Sequence, residues 1–173
     1  MVRDPRDNFA AIYEGVDKYY SKFGEDTLVA LVSLILRSKL DLRIAAQSKN
    51  LKGNSIIQFE RLVFELENEV NKLCKKLNIV KSPTMLEPTI LQEPYHGNNH
   101  LKKKFNGIHT GNVNNYLNRI PREIVTLIEF YLKDEIHDLK YDIKKEVTSN
   151  CLVQSMDVIQ NINSALLFRD PLI

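Results

Sequence analysis

Apolar residues recur along this chain at three- and four-residue steps, in stretches separated by caps and breakers. In the first, Phe9, Ile12, Val16, Tyr19 and Phe23 follow Asp7, a suitable N-cap, and Gly24 closes the run. Asp26 and Thr27 precede a second stretch, Leu28, Val29, Leu31, Val32, Leu34, Ile35 and Leu36, which is apolar nearly all round. Such a helix is buried on several sides, so it is expected at the centre of the core. The third starts at Ser55 as cap and carries a seam of heptad-like spacing, Phe59, Leu62, Leu66, Val70, Leu73 and Leu77. Its acids (Glu60, Glu65, Glu67, Glu69) gather towards the start and Lys72, Lys75 and Lys76 towards the end, as the helix dipole favours. So few heptads fit a helical hairpin or bundle better than a free-standing coiled coil.

A fourth helix is expected to start at Pro121 and to run through Ile124, Ile128, Leu132, Ile136, Leu139, Ile143 and Val147, its second half a narrow stripe on a charged rod. A fifth, capped by Ser149 or Asn150, offers Leu152, Met156, Ile159, Ile162 and Leu166, and Arg169-Asp170-Pro171 stops it. Between the third and fourth, Pro83, Pro88 and Pro94 and the run His96-Gly97-Asn98-Asn99 break the pattern, so a linker or extended arm is expected. No segment alternates with period two for long. The pattern predicts an all-α protein of helical bundle or hairpin type. Its N-terminal part (1–77) and C-terminal part (112–173) are joined by an extended basic arm (78–111), as separate parts or as one compact domain overall.

Composition adds limits. At 173 residues with 43% hydrophobic content, the chain is long enough for an ordinary core. Cys74 and Cys151 are far apart and fall in or beside helical patterns, which favours buried thiols in a reducing compartment over a disulfide scaffold. The charged N-terminus lacks the apolar stretch of a signal peptide, and the longest apolar run, 28–36, is about half of the ~20 residues that span a bilayer. An intracellular protein, cytoplasmic or nuclear and without a membrane partner, is expected.

Charge is unevenly placed. From Pro94 to Arg122 there is no Asp or Glu, while Lys102, Lys103, Lys104, Arg119 and Arg122 are all cationic in a chain whose net charge is +2. Phe105 and Tyr116 are interleaved with them. Lysines supply salt-dependent attraction to phosphate and aromatic rings supply stacking on bases, so this segment is a candidate contact for nucleic acid or for an acidic partner. A net charge this small falls short of the plainly basic nucleic-acid-binding domains.

Catalytic chemistry finds little support. His96 and His100 have a spacing compatible with zinc on a helix, but Pro94, Gly97 and Asn98 argue against a helix there and no thiolate is near. Asp134 and Glu135 are adjacent and point in different directions on a helix, unlike a carboxylate pair that faces across a cleft. Phosphate loops, dinucleotide fingerprints, serine elbows and zincin motifs are absent. The HEPN-type ribonucleases use an Arg followed four to six residues later by a His, and no arginine here stands at that spacing. A HEPN-like ribonuclease or toxin would therefore lack its usual motif. No catalytic residue, metal or cofactor is expected.

The run Leu31-Val32-Ser33-Leu34-Ile35-Leu36-Arg37-Ser38-Lys39, followed by Phe64-Glu65-Leu66-Glu67-Asn68-Glu69-Val70-Asn71-Lys72-Leu73, resembles the start of the meiotic double-strand-break accessory protein family called Mei-four. The resemblance covers residues 28–77. Where that family carries a Trp in the third helix, this chain has Gln58 to Arg61. The resemblance implies an all-α, non-enzymatic scaffold that binds partner proteins and DNA at chromosome axes.

Taken together, the residues favour a non-enzymatic α-helical interaction or scaffold protein that assembles with partner proteins or with copies of itself, in a nucleic-acid-associated complex. Direct DNA or RNA binding through residues 94–122 is the alternative, and a HEPN-like ribonuclease or toxin lacking the usual motif is a second. Lys102, Lys103, Lys104, Arg119 and Arg122 would meet phosphate or an acidic surface, and Phe105 and Tyr116 would stack or anchor. Phe59, Leu62, Leu66, Val70, Leu73 and Leu77 would pack against a partner helix or within the domain.

Overall fold

The first helix begins where Asp4 and Pro5 stand together. Asp4 Oδ1 accepts from the Arg6 N–H at 2.8 Å and its carbonyl accepts from Asn8 N, so Asp4 is the N-cap and Pro5 takes the first helical position, where its missing N–H costs nothing. Helix α1 (Pro5–Tyr13) thus starts before the expected cap, Asp7, which lies inside the first turn and is fully buried. The structure is a computed structural model, and it describes residues 1–13, 27–49, 51–90, 93–95, 104 and 107–143, with Gln160 and Ser164. The expected end of the first helix at Gly24 and nearly all of the fifth helix lie outside those residues.

Helix α2 (Thr27–Ser48) carries the apolar run and continues well past it. Leu31, Leu34, Ile35 and Leu42 are buried, while Arg37, Leu40, Asp41 and Ile44 face solvent. After a turn at Gly53, whose φ of 93° suits a residue without Cβ, the chain passes through Ser55–Gln58 beside the N-terminus. Val2 N donates to Ile57 O and Phe59 N donates to Val2 O, both at 2.8 Å, a parallel bridge between Val2 and Gln58. That bridge corrects the expected start at Ser55. The Ile57 carbonyl is taken by Val2, and the first helical turn closes on the Gln58 carbonyl, which accepts from Leu62 N at 3.0 Å, so α3 (Phe59–Phe64) begins after Gln58.

The single third helix is likewise two. Glu65 takes φ −127° and ψ 38°, which separates α3 from α4 (Leu66–Leu77). Asn78 ends α4 in the left-handed region (φ 53°), and Ile79 N donates to Cys74 O at 3.0 Å. The expected arm is partly regular. Pro83–Leu86 forms a 3-10 turn against α4, and β1 (Thr89–Ile90) pairs antiparallel with β2 (Glu93–Pro94). This two-residue ribbon is the strand structure among the described residues, and the architecture is all-α with six helices there.

The fourth helix also departs from a straight rod. A 3-10 turn at Tyr116–Asn118 leads to α5 (Arg122–Tyr131); Leu132 breaks it at φ −113°, ψ 20°; and α6 (Lys133–Asp138) follows. Lys140, at φ 60°, then reverses the chain, and Tyr141 N donates to Ile136 O at 3.0 Å. The expected helix therefore ends at Asp138 and does not run on through Ile143, and Val147 lies outside the described residues. Tyr141 and Asp142 turn back towards α1 and α3, where their polar groups find partners. The apolar stripe survives these breaks: Ile128, Leu132 and Ile136 are fully buried and Leu139 nearly so.

One core holds α1, α2, α5 and α6. Phe9, Leu31, Leu34, Ile35, Tyr116, Ile120, Val125, Leu127, Ile128, Leu132 and Ile136 belong to it. Each large aliphatic side chain fully buried there contributes roughly 1.5–3 kcal/mol. Cys74 is a buried free thiol, its Sγ 3.7 Å from Met85 Sδ; Cys151 lies outside the described residues. No described helix is long and apolar enough to cross a membrane.

Candidate functional site

Three features gather polar or apolar groups in ways that local sequence does not require. The first is a buried ionic cluster around Arg6. Its Nε and one terminal nitrogen donate to both oxygens of Asp4, at 2.6–3.2 Å, and the other terminal nitrogen donates to Glu129 at 2.5 Å and to the Asp142 carbonyl at 2.7 Å. The guanidinium also lies over the Tyr116 ring, 4.5 Å from its centroid. Glu60 extends the cluster, accepting from Asp4 N at 2.8 Å and from the Tyr141 hydroxyl at 2.9 Å. Asp7 accepts from the backbone of Asn114 (2.5 Å) and Asn115 (3.1 Å).

These surroundings shift proton affinities. Burial pulls the Arg6 pKa down, but the hydrogen bond and charge of Asp4, with Glu129 behind them, outweigh it and hold Arg6 above its ordinary value. Burial raises Asp7, against the two backbone N–H groups that favour its carboxylate. Burial, opposed by the Arg6 charge and helped by Asp4 and Glu129, pushes Tyr116 up to about 12. Tyr141 rises through burial and then through its carboxylate partner Glu60. Asp4, Arg6, Asp7, Glu60 and Glu129 are all at least nine-tenths buried, so no substrate reaches them. The cluster ties the N-terminal segment to α3, α5 and the loop before Tyr116. It is a lock on the fold.

The second feature is a groove of about 360 Å³ whose apolar walls include Phe59, Leu62, Leu66, Met85, Leu86 and Ile108, with His109 at its edge. The expected seam is divided by the break at Glu65. Phe59, Leu62 and Leu66 line this groove half-buried, Val70 is buried, Leu73 faces a different cleft, and Leu77 is 61% exposed. A continuous partner-helix stripe from Phe59 to Leu77 is therefore not what the fold presents.

The third feature is that other cleft, about 400 Å³ in volume. Its floor is Ile56, Ile57, Leu73 and Leu139, and Gln58 donates from Nε2 to the Leu139 carbonyl at 2.6 Å, joining two of its walls. Around it stand Lys49 from the end of α2, Arg61 from α3, Lys72 and Lys76 from α4, and Lys140 from the reversal after α6. The carboxylates of the cleft are Glu69 and Asp138. Lys72 is engaged by Glu69 at 2.6 Å, and Lys76 donates to the Asn54 carbonyl. The charged groups of Lys49, Arg61 and Lys140 have no hydrogen-bond or ion-pair partner among the described residues. Concave, cationic and apolar at its base, this cleft can hold an anionic group against a partly dry surface.

The segment singled out by its lack of acids is described only in part. Lys102, Lys103 and Phe105 lie outside the described residues; Lys104 and Arg122 are exposed; Arg119 is half-buried. Tyr116 is the clear correction. At 1% exposure, packed in the core under Arg6, it has no face to offer a base or a partner. The histidines considered as ligands, His96 and His100, lie outside the described residues; His109 is exposed at the apolar groove. No group of His, Cys, Asp and Glu among the described residues has the placement to hold a metal.

Sequence reading missed the cleft. One signal existed: Arg61, Lys72 and Lys76 fall within about 60° of one another on a helical wheel, beside the apolar seam. Lys49 and Lys140 join them only through tertiary structure. No protein-family model, curated protein or solved structure matches this chain.

Proposed function

We propose that this protein is a non-enzymatic α-helical interaction module that engages a negatively charged macromolecular partner through the cleft between α3, α4 and the α6 reversal. The observation that carries this reading is the convergence of Lys49, Arg61, Lys72, Lys76 and Lys140 on one concavity whose carboxylates among the described residues are Glu69 and Asp138. Cations on elements far apart in sequence repel one another, and a fold that collects them gains only when an anion sits among them. The assembly would be nucleic-acid-associated, a part of the reading supported by the acid-free stretch from Pro94 to Arg122 and by the resemblance of residues 28–77 to Mei-four.

The test is fluorescence anisotropy with labelled duplex DNA, single-stranded DNA, RNA and an acidic polypeptide, each titrated at several salt concentrations. Binding whose affinity falls with salt, and which is lost in the Lys49→Glu/Arg61→Glu variant but kept in Lys104→Glu, supports the cleft. Loss in Lys104→Glu alone would move the contact to the acid-free segment. Flat titrations for every probe would remove polyanion binding altogether.

A further inference from the structure

The stretch that floors the cleft has an edge that no described residue pairs with. Val2 bonds the carbonyl of Ile57 and the N–H of Phe59, so these groups point to the N-terminal segment. By the two-residue alternation of extended chain, the backbone of Ile56 and the N–H of Gln58 point the opposite way. Gln58 is itself extended (φ −79°, ψ 127°). No hydrogen bond joins the Ile56 backbone, or the Gln58 N–H, to a described residue. Ser55, Ile56, Ile57 and Gln58 all line the cationic cleft. A strand edge unpaired among the described residues and a ring of positive charge therefore occupy one place.

We propose that the partner in this cleft is an acidic peptide segment in extended conformation, which adds as a strand to the Ile56–Gln58 edge while its carboxylates meet Lys49, Arg61 and Lys140. The inference rests on the cleft reading above and names its ligand. Edge pairing supplies affinity through main-chain hydrogen bonds, and alternate side chains of the added strand supply selectivity. Two observations favour a peptide over nucleic acid. The edge presents an acceptor, the Ile56 carbonyl, as well as N–H donors; a peptide backbone answers both, whereas a phosphodiester chain brings only acceptors there. Among the described residues no aromatic side chain lines the cleft, so they give bases no stacking platform. The planar Arg61 group suits bidentate contact with a carboxylate.

The experiment uses the full chain and a short labelled peptide alternating Glu and Val, followed by anisotropy. Companion probes are the same peptide N-methylated at alternate residues, a Gln/Val version, and labelled duplex and single-stranded DNA. The proposal expects the Glu/Val peptide to bind, to weaken with salt, and to weaken roughly tenfold or more on N-methylation, on replacement of Glu by Gln, and in Lys49→Glu/Arg61→Glu. Ile56→Pro, which deletes one edge N–H and spares both bonds to Val2, should weaken the peptide similarly; if this variant fails to fold, the N-methylated peptide reads the same bond in the native chain. Peptide binding indifferent to N-methylation would overturn strand pairing and leave the cleft reading intact. DNA binding lost on charge reversal, with no peptide binding, would overturn the ligand and again leave the cleft. Binding of no probe, or binding indifferent to Lys49 and Arg61, would overturn both.

Discussion

Arg6 donates to Glu129 at 2.5 Å, joining the first turn of the first helix to α5 across 123 residues of chain. Both side chains are buried, with relative exposures of 2% and 6%. A buried pair of this kind is strongly coupled to its other partners. Removing one member strands the rest, because the remaining charges have already given up their water. The Asp4 carboxylate, the Asp142 carbonyl and the Tyr116 ring would all lose the same partner.

Arg6→Met should therefore destabilise the protein by about 3–5 kcal/mol in urea or guanidinium unfolding. Glu129→Gln, which keeps an acceptor oxygen, should cost less. The double variant should cost less than the sum of the two single ones, since the pair interacts directly. Strict additivity would contradict the contact.

Asp7 makes a pH-dependent contribution of the opposite sign to the usual salt-bridged carboxylate. Burial raises its folded pKa above the ordinary 3.8, so in the window just above that value the folded state holds more proton than the unfolded one. Its contribution to stability is present below the unfolded pKa and is lost as pH rises through the folded one. Unfolding free energies measured across this window should show that loss in the native protein, and Asp7→Asn should lack it. The difference between the two curves isolates Asp7 from the other carboxylates.

Tyr116 repeats that logic at alkaline pH. Its phenol is pushed up to about 12, above the ordinary 10, so the native protein should lose stability between those values as the unfolded chain ionises first. Tyr116→Phe should not show this contribution. A phenolate absorbance titration in which Tyr116 ionises at the ordinary value in the folded protein would refute the burial.

Leu132 occupies the break between α5 and α6 and is fully buried. Leu132→Ala should cost about 2–5 kcal/mol by thermal or chemical unfolding, the range of a cavity that the neighbours only partly fill. The same change at Leu77, which is 61% exposed, should cost far less. Equal costs would mean that the seam, not the α5–α6 stripe, carries the core.

Asn78 holds the left-handed position that ends α4. Asn78→Ala should lower the melting free energy by roughly 1–2 kcal/mol, and Asn78→Gly should be nearly neutral.

Local pattern was enough to predict the helical class and most of the core. Ile128, Leu132, Ile136 and Leu139 stand at the predicted stripe and are buried, because three- and four-residue spacing places side chains on one face whatever else the chain does. That spacing survives the break at Leu132. The breaks themselves depend on distant partners: Tyr141 and Asp142 leave the helical path for Glu60 and Arg6, and residues 55–58 leave it for Val2. A capping preference is local too, yet Asp7 lost the cap to Asp4 and became a buried acceptor for a loop more than a hundred residues away. Charge patterning marked a different place. It pointed to the acid-free segment, whose Tyr116 turned out to be core, while the basic cleft draws Lys49, Arg61 and Lys140 from elements that meet only in three dimensions. Helical periodicity is a property of neighbours along the chain; a site is a property of neighbours in space, and here only the tertiary structure brought those together.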